Sequence, residues 1–146
     1  DQVALLFDGN STGRFEPIGK VASGGELSRL MLAVKAQVAS KIHLPALIFD
    51  EIDTGISGEA ARQVGVLMKQ LAEGHQVIAI THQPQIAARA GAHFFVYKQA
   101  ENGKVKTNMR RLSRDEQVNA IASMLGGETP SAAVKATALE MIKGGM

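Results

Sequence analysis

Ala46-Leu47-Ile48-Phe49-Asp50-Glu51 decides the fold: four consecutive apolar residues followed by two adjacent carboxylates read as a buried strand whose C-terminal end meets solvent. A second apolar run, Val77-Ile78-Ala79-Ile80, lies downstream of a helical pattern. Ser57 is placed to cap that helix over about residues 59–72, Val64, Leu67, Met68 and Leu71 share one of its faces, and Gly74 ends it. Strand, helix, strand predicts a right-handed parallel crossover. The expected fold class is therefore α/β with a mostly parallel sheet core, and the continuously apolar strand 46–49 is expected to be buried on both faces.

Working outward toward the N-terminus, Leu44-Pro45 separates this strand from an amphipathic helix that begins at Ser23-Gly24-Gly25-Glu26 and runs to about Ser40. Ser23 and Glu26 have the spacing of a capping box, in which hydroxyl and carboxylate each satisfy an orphaned backbone N–H. Leu27, Leu30, Met31, Val34 and Val38 follow helical spacing and are expected to form the anchoring face. Before them, Val3 to Phe7 reads as a strand closed by the turn residues Asp8-Gly9-Asn10 and followed by a polar loop to Gly19.

Working outward toward the C-terminus, Thr81-His82-Gln83-Pro84 leaves the second strand and a short helix follows through Ala90. Phe94 to Tyr97 is a third strand, which the hairpin signal Asn102-Gly103 pairs with 104–111. Ser113 and Glu116 form a second capping box, for a helix ending at Gly126-Gly127. Thr129-Pro130 supplies a cap and a first-turn proline for a last helix to about Lys143. No repeat, low-complexity segment or long linker divides the chain, so residues 1–146 are expected to form a single domain.

With 146 residues, 45% apolar and 21% charged, the chain can bury a real core and is not disordered. It has no cysteine, which removes disulfides and thiolate metal sites and is compatible with a reducing cytoplasm. A net charge of +2 is too small to argue for nucleic acid by itself. No apolar run approaches the ~18 residues of a membrane span and no basic leader precedes one. The first residue is Asp1 and a strand starts almost at once, so a piece of something longer is expected.

Three groups of residues carry chemistry. The helix start at Ser23 offers backbone N–H groups and a positive dipole end to an anion, with two glycines that allow close approach; the plain alternative is an ordinary well-capped helix. Asp50 and Glu51 suit a hydrated magnesium and an attacking water, one carboxylate holding the metal and the other polarising the water; the alternative is an acidic loop capping a neighbouring helix. His82 leaves a parallel strand at the same edge and can donate to a phosphate oxygen. His43, His75 and His93 have no partners that suggest a role, and no zinc pattern is present. Lys98, Lys104, Lys106, Arg110, Arg111 and Arg114 gather on the hairpin and the next helix cap, where they either touch DNA phosphates or keep an exposed edge strand soluble.

Taken together, Ser23-Gly24-Gly25-Glu26-Leu27-Ser28-Arg29 resembles the signature motif of ABC-type ATPases in their SMC-like form. Ile48-Phe49-Asp50-Glu51 resembles their Walker B, Asp53-Thr54-Gly55-Ile56-Ser57-Gly58 their D-loop, and Ile80-Thr81-His82 their switch-histidine strand. The order and spacing match, and the resemblance covers essentially the whole chain. The wording around Val21 to Arg29, Phe49 to Gly55 and Thr81 to Ala87 is closest to a bacterial branch that acts in DNA double-strand break repair and recombination.

The resemblance implies an ABC/SMC-type ATPase head lobe that hydrolyses ATP with Mg²⁺ in the cytoplasm, near the nucleoid. It implies that Asp50 holds the metal through water, Glu51 is the general base and His82 senses the γ-phosphate. Ser23, Gly24, Gly25 and Glu26 would face the nucleotide of a second head, and Asp53 would support the contact between heads. The implied partners are that second head, an N-terminal Walker A lobe of the same chain, and DNA, with no membrane. The phosphate-cradling Gly-x-x-x-x-Gly-Lys-Ser/Thr is missing here, because Gly19-Lys20 runs into Val21 and Gly103-Lys104 lies in the hairpin. No coiled-coil heptad run is present either. The chain alone is thus expected to be inactive and to bind ATP weakly. Other readings are a different SMC-like chromosome or repair ATPase, a transporter's nucleotide-binding domain, or an interaction module in which these motifs are only structural.

Overall fold

The computed structural model describes residues 3–9, 11–38, 44–50, 52–101 and 103–144, whose contacts gather into two units, Asp1–Thr81 and His82–Met146. Each unit has its own secondary structure and is described by itself.

In the first unit, β1 (Leu6–Phe7) pairs antiparallel with β2 (Glu16–Pro17). The strand expected over 3–7 is thus only two residues long. The intervening loop is closed by the Asp8 carboxylate, which accepts from Gly13 N at 2.7 Å and Thr12 Oγ1 at 3.2 Å. A single turn of helix, α1 (Ile18–Val21), leads to α2 (Gly24–Val38). The expected continuation to Ser40 lies outside the described residues. Then follow β3 (Ala46–Phe49), α3 (Gly58–Leu71) and β4 (Gln76–Ala79).

The expected parallel pairing is present: β3 and β4 run side by side in the register Ala46↔Gln76 to Phe49↔Ala79, and Ile80 N extends the ladder to Phe49 O at 2.9 Å. The expectation of burial on both faces is not met. Leu47 and Phe49 are buried, with the Lys35 ammonium of α2 5.2 Å from the centre of the Phe49 ring. Ile48 and Ile78, register partners on the opposite face, are 64% and 43% exposed, and Ile80 is 60% exposed. Apolarity along a strand marks what can be buried; a two-stranded sheet with cover on one side buries only alternate residues.

Helix α2 shows a parallel correction. It packs against α3 through the side that carries Gly25 and Leu32, Leu32 being 1% exposed. Of the stripe expected to anchor the helix, Leu27, Met31 and Val34 are exposed, while Leu30 and Val38 are half-buried. Both sides of this helix carry apolar residues, so periodicity could not tell which one the neighbouring helix covers. On α3, Val64, Met68 and Leu71 are buried as expected, joined by Ala61 and Gly65. Leu67 is half-buried. Ser57 takes the extended conformation of an N-cap, but its side chain makes no capping hydrogen bond.

The second unit contains α4 (Pro84–Ala87), the hairpin β5 (Phe94–Glu101) and β6 (Lys104–Arg111), α5 (Arg114–Gly126) and α6 (Ala132–Gly144). The hairpin is antiparallel in the register Phe94↔Arg111 to Glu101↔Lys104. The capping box opening α5 forms as expected, and Gly127, at φ 80°, closes that helix in a conformation only glycine adopts easily. α6 starts later than Thr129-Pro130 suggested: Val134 N donates to Ser131 Oγ at 3.4 Å, so Ser131 is the capping side chain. A small core of Ala87, Ala88, Ile121, Ala122, Ala138 and Ile142 joins α4, α5 and α6, with Val118, Val134 and Met141 packed around it. Small alanines at the contacts let the helices approach closely, and each large side chain buried adds roughly 1.5–3 kcal/mol. Among the described residues there are three two-stranded sheets, of which β3–β4 alone is parallel, so the expected mostly parallel core is not seen among them.

Candidate functional site

The start of α2 is built as the capping box required. Ser23 N donates to Glu26 Oε2 at 2.7 Å, and Glu26 N donates to Ser23 Oγ at 3.2 Å. The bond from the Ser23 backbone, followed by that with the Ser23 side chain, holds the Glu26 carboxyl below its ordinary value, with Arg29 nearby acting in the same direction. Leu27 N is taken by Ser23 O at 3.0 Å. The N–H groups of Gly24 and Gly25 are then the first-turn donors not engaged among the described residues, the arrangement in which a helix start receives an anion.

The two glycines have different tasks. A Cβ on Gly24 would meet nothing within 4 Å, so its side of the turn is open. A Cβ on Gly25 would lie less than 3.0 Å from the Thr54 carbonyl oxygen, 3.0 Å from Arg29 Nη1 and 3.2 Å from Thr54 Cβ. Gly25 is buried, and the space its missing side chain leaves is filled by the loop that follows β3. Arg29 Nη1 donates to Thr54 O at 3.0 Å and fastens the same contact.

At the end of β3, Asp50 is exposed. Glu51, the expected general base, lies outside the described residues. Among the described residues no three His, Cys, Asp or Glu side chains gather to hold a metal. An exposed carboxylate such as Asp50 is of the type that could hold a hydrated Mg²⁺, a cation that takes oxygen ligands and keeps several waters. Asp53, expected to support a contact with a second head, is only 3% exposed. Its Oδ2 accepts from Thr81 Oγ1 at 2.6 Å, at the end of the neighbouring strand.

His82, the next residue after Thr81, opens the second unit and is exposed. His75 Nδ1 lies 2.8 Å from Leu44 O, a structural contact between the segments that lead into β4 and β3. His93 is half-buried in the second unit, and its burial pushes its pKa down. His43 lies outside the described residues. Of the six basic residues near the hairpin, Lys106 pairs with Glu101 at 2.5 Å and Arg110 with Glu116 at 2.7 Å. Arg114 Nη1 is 3.4 Å from Gln117 Oε1, while Lys98, Lys104 and Arg111 are exposed. The charges of Lys106 and Arg110 are thus already matched within the unit.

Sequence reasoning passed over two residues of this region, Arg29 and Thr81. The signal for Arg29 was its i+4 relation to Gly25, which puts both on one helix face. No local signal singles out Thr81, whose partner is 28 residues away.

No family model matches the chain. It is 42% identical over 142 residues to the DNA repair protein RecN of Vibrio cholerae, an alignment taking in 97% of this chain and 26% of that protein. It is 38% identical over 143 residues to RecN of Bacillus subtilis, covering 98% of the chain and 25% of that protein. With RecN of Deinococcus radiodurans the identity is 44% over 133 residues, covering 91% of the chain and 23% of the relative. The chain therefore spans about a quarter of the length of the curated relatives it matches. Among solved structures, a chain described under "Structural biochemistry of ATP-driven dimerization and DNA stimulated activation of SMC ATPases" matches with a TM-score of 0.53 at 24% identity, covering 79% of this chain and 68% of that one. The shared fold is the α/β fold of SMC-type ATPases.

Proposed function

We propose, from its similarity to RecN proteins along nearly the whole chain, that the chain belongs to the RecN family of DNA repair proteins and is the C-terminal lobe of an ATPase head acting in DNA double-strand break repair and recombination in the cytoplasm. The observation that carries this reading is similarity to RecN along nearly the whole chain. In the longer protein an N-terminal Walker A lobe of the same chain completes the head. Its strands extend β3–β4 into a mostly parallel core. The uncovered isoleucines of β3–β4 and the exposed Leu27-Met31-Val34 stripe support this, because apolar faces of this kind call for a covering partner.

In this reading two heads associate around ATP. The Ser23-Gly24-Gly25-Glu26 turn of one head meets the γ-phosphate of a nucleotide held mainly by the other. The open Gly24 side, its N–H and that of Gly25 form the anion-facing surface, while Ser23 and Glu26 keep the turn in shape. Asp50 holds Mg²⁺, which when bound neutralises charge developing on the phosphate oxygens. Glu51 takes the proton of the attacking water. His82 donates to the γ-phosphate, and Asp53 supports the head contact by fixing the loop rather than by touching the partner. Hydrolysis to ADP and phosphate separates the heads, and DNA is the partner on which that cycle acts. The chain by itself, lacking a Walker A sequence, does not hydrolyse ATP.

The test uses the complete protein. Glu51→Gln is expected to lower ATP turnover at least a hundredfold, the usual range for a lost general base, while ATP-driven association of heads persists. Unchanged steady-state hydrolysis removes Glu51 from the role. Absence of any ATPase activity in the unaltered protein, with and without DNA, refutes the reading as a whole.

A further inference from the structure

The loop after β3 is tied down at both of its sides. On one side, the Thr54 backbone sits in the space left by Gly25 and accepts from Arg29 at 3.0 Å. On the other, the buried Asp53 carboxylate accepts from the Thr81 hydroxyl at 2.6 Å, within the short range of bonds to a charged acceptor. The loop's own turn is closed by Ile56 N donating to Asp53 O at 3.3 Å. Helix α2, the loop and the end of β4 are thereby joined through two consecutive residues, Asp53 and Thr54.

We propose that Gly25, Arg29, Asp53 and Thr81 form a brace between the N-terminus of α2 and the C-terminal end of β4, and that Arg29 and Thr81 are positioning residues for the ATP reaction of paired heads. The proposal rests on the function proposed above. Neither side chain touches nucleotide in it; each acts through the loop. A shift of Thr54 would carry the buried Gly25 contact with it, and with Gly25 the two N–H groups that face phosphate. A shift of Asp53 would release the hydroxyl of the residue that precedes His82 in the chain. The brace makes these two ends move together, so the geometry that meets phosphate is set before nucleotide arrives and need not be assembled during the reaction.

The test uses the complete protein, comparing Thr81→Val, which keeps the shape but removes the hydroxyl, with Thr81→Ser, which keeps the hydroxyl. The brace predicts that Thr81→Val lowers kcat about tenfold, the weight of one hydrogen bond to a charged group. KM for ATP should stay within about twofold because the grip on nucleotide lies elsewhere, and Thr81→Ser should return kcat to within about twofold of the unaltered protein. Arg29→Ala, at a partly exposed side chain, is expected to lower kcat in the same way and supplies the readout should Thr81→Val fail to fold. Unchanged kcat in Arg29→Ala or in folded Thr81→Val, even with a lowered unfolding temperature, overturns the brace. So does equal loss in Thr81→Val and Thr81→Ser. An unaltered protein that neither hydrolyses ATP nor associates in its presence overturns the underlying reading instead, and the brace with it.

Discussion

Replacing Gly25 by alanine adds one methyl at the point where α2 meets the loop after β3. Its Cβ would lie less than 3.0 Å from the backbone oxygen of Thr54, with Arg29 Nη1 at 3.0 Å and Thr54 Cβ at 3.2 Å. Arg29 can swing aside, but the Thr54 carbonyl moves only with its backbone. That backbone is tied to Arg29 directly and to Thr81 through Asp53. Forcing such a displacement costs about 1–3 kcal/mol, and losing the Arg29–Thr54 bond adds about 1 kcal/mol. The gain in helix propensity from glycine to alanine returns at most about 1 kcal/mol. The net expectation is a loss of about 2 kcal/mol. Gly24→Ala is the matched control, because its Cβ would meet nothing within 4 Å; it should leave stability unchanged or raise it by up to about 1 kcal/mol. Urea unfolding of both variants reads the difference: with a slope of about 1–3 kcal/mol per molar, Gly25→Ala should lower the midpoint by roughly 0.7–2 M. Equal midpoints for Gly25→Ala and Gly24→Ala would refute the assignment of Gly25 to the loop contact.

Two further predictions concern single side chains. Ser113→Ala removes a formed capping box and should cost the second unit about 1 kcal/mol in urea unfolding, whereas Ser57→Ala should cost almost nothing because Ser57 makes no capping hydrogen bond. His93 has its pKa lowered from 6.5, first by burial, with the Arg114 charge adding to it and the Ala87 backbone bond opposing it. Its folded state therefore binds fewer protons than the unfolded one. The stability it supports is complete above about 6.5 and falls as pH drops through the window below that value. His93→Gln should flatten the loss of stability of the second unit between about pH 7 and pH 5, measured by thermal unfolding in matched buffers; an unchanged pH slope would remove His93 as its source.

Much of the site could be read from short-range pattern. Ser23 with Glu26, and Ser113 with Glu116, form capping boxes in which both partners sit within one helical turn, so spacing alone specifies them. The strand 46–49, the strand read over 77–80 and found one residue earlier at 76–79, and the helix between them were visible because apolar period, turn residues and connection length agree, and only a parallel pairing fits that connection. The hairpin was visible through the Asn102-Gly103 sequence between two runs of strand-forming residues.

Cover and long-range partners were not legible. Which side of α2 is buried depends on where α3 lies, and α2 carries apolar residues on both sides; the side chosen holds Leu32 and not the Leu27-Met31-Val34 stripe. Whether Ile48 is buried depends on a covering layer that a strand does not encode. Local sequence thus determined the two capping boxes, the approximate places of the longer helices and strands and the parallel pair, since these rest on interactions within a few residues or on connection length. Tertiary structure alone decided that Gly25 makes room for Thr54, that Asp53 is buried against Thr81 and that Arg29 fastens the loop. Each of those contacts joins residues 25 or more positions apart, and such a contact exists only once packing has brought distant backbone together.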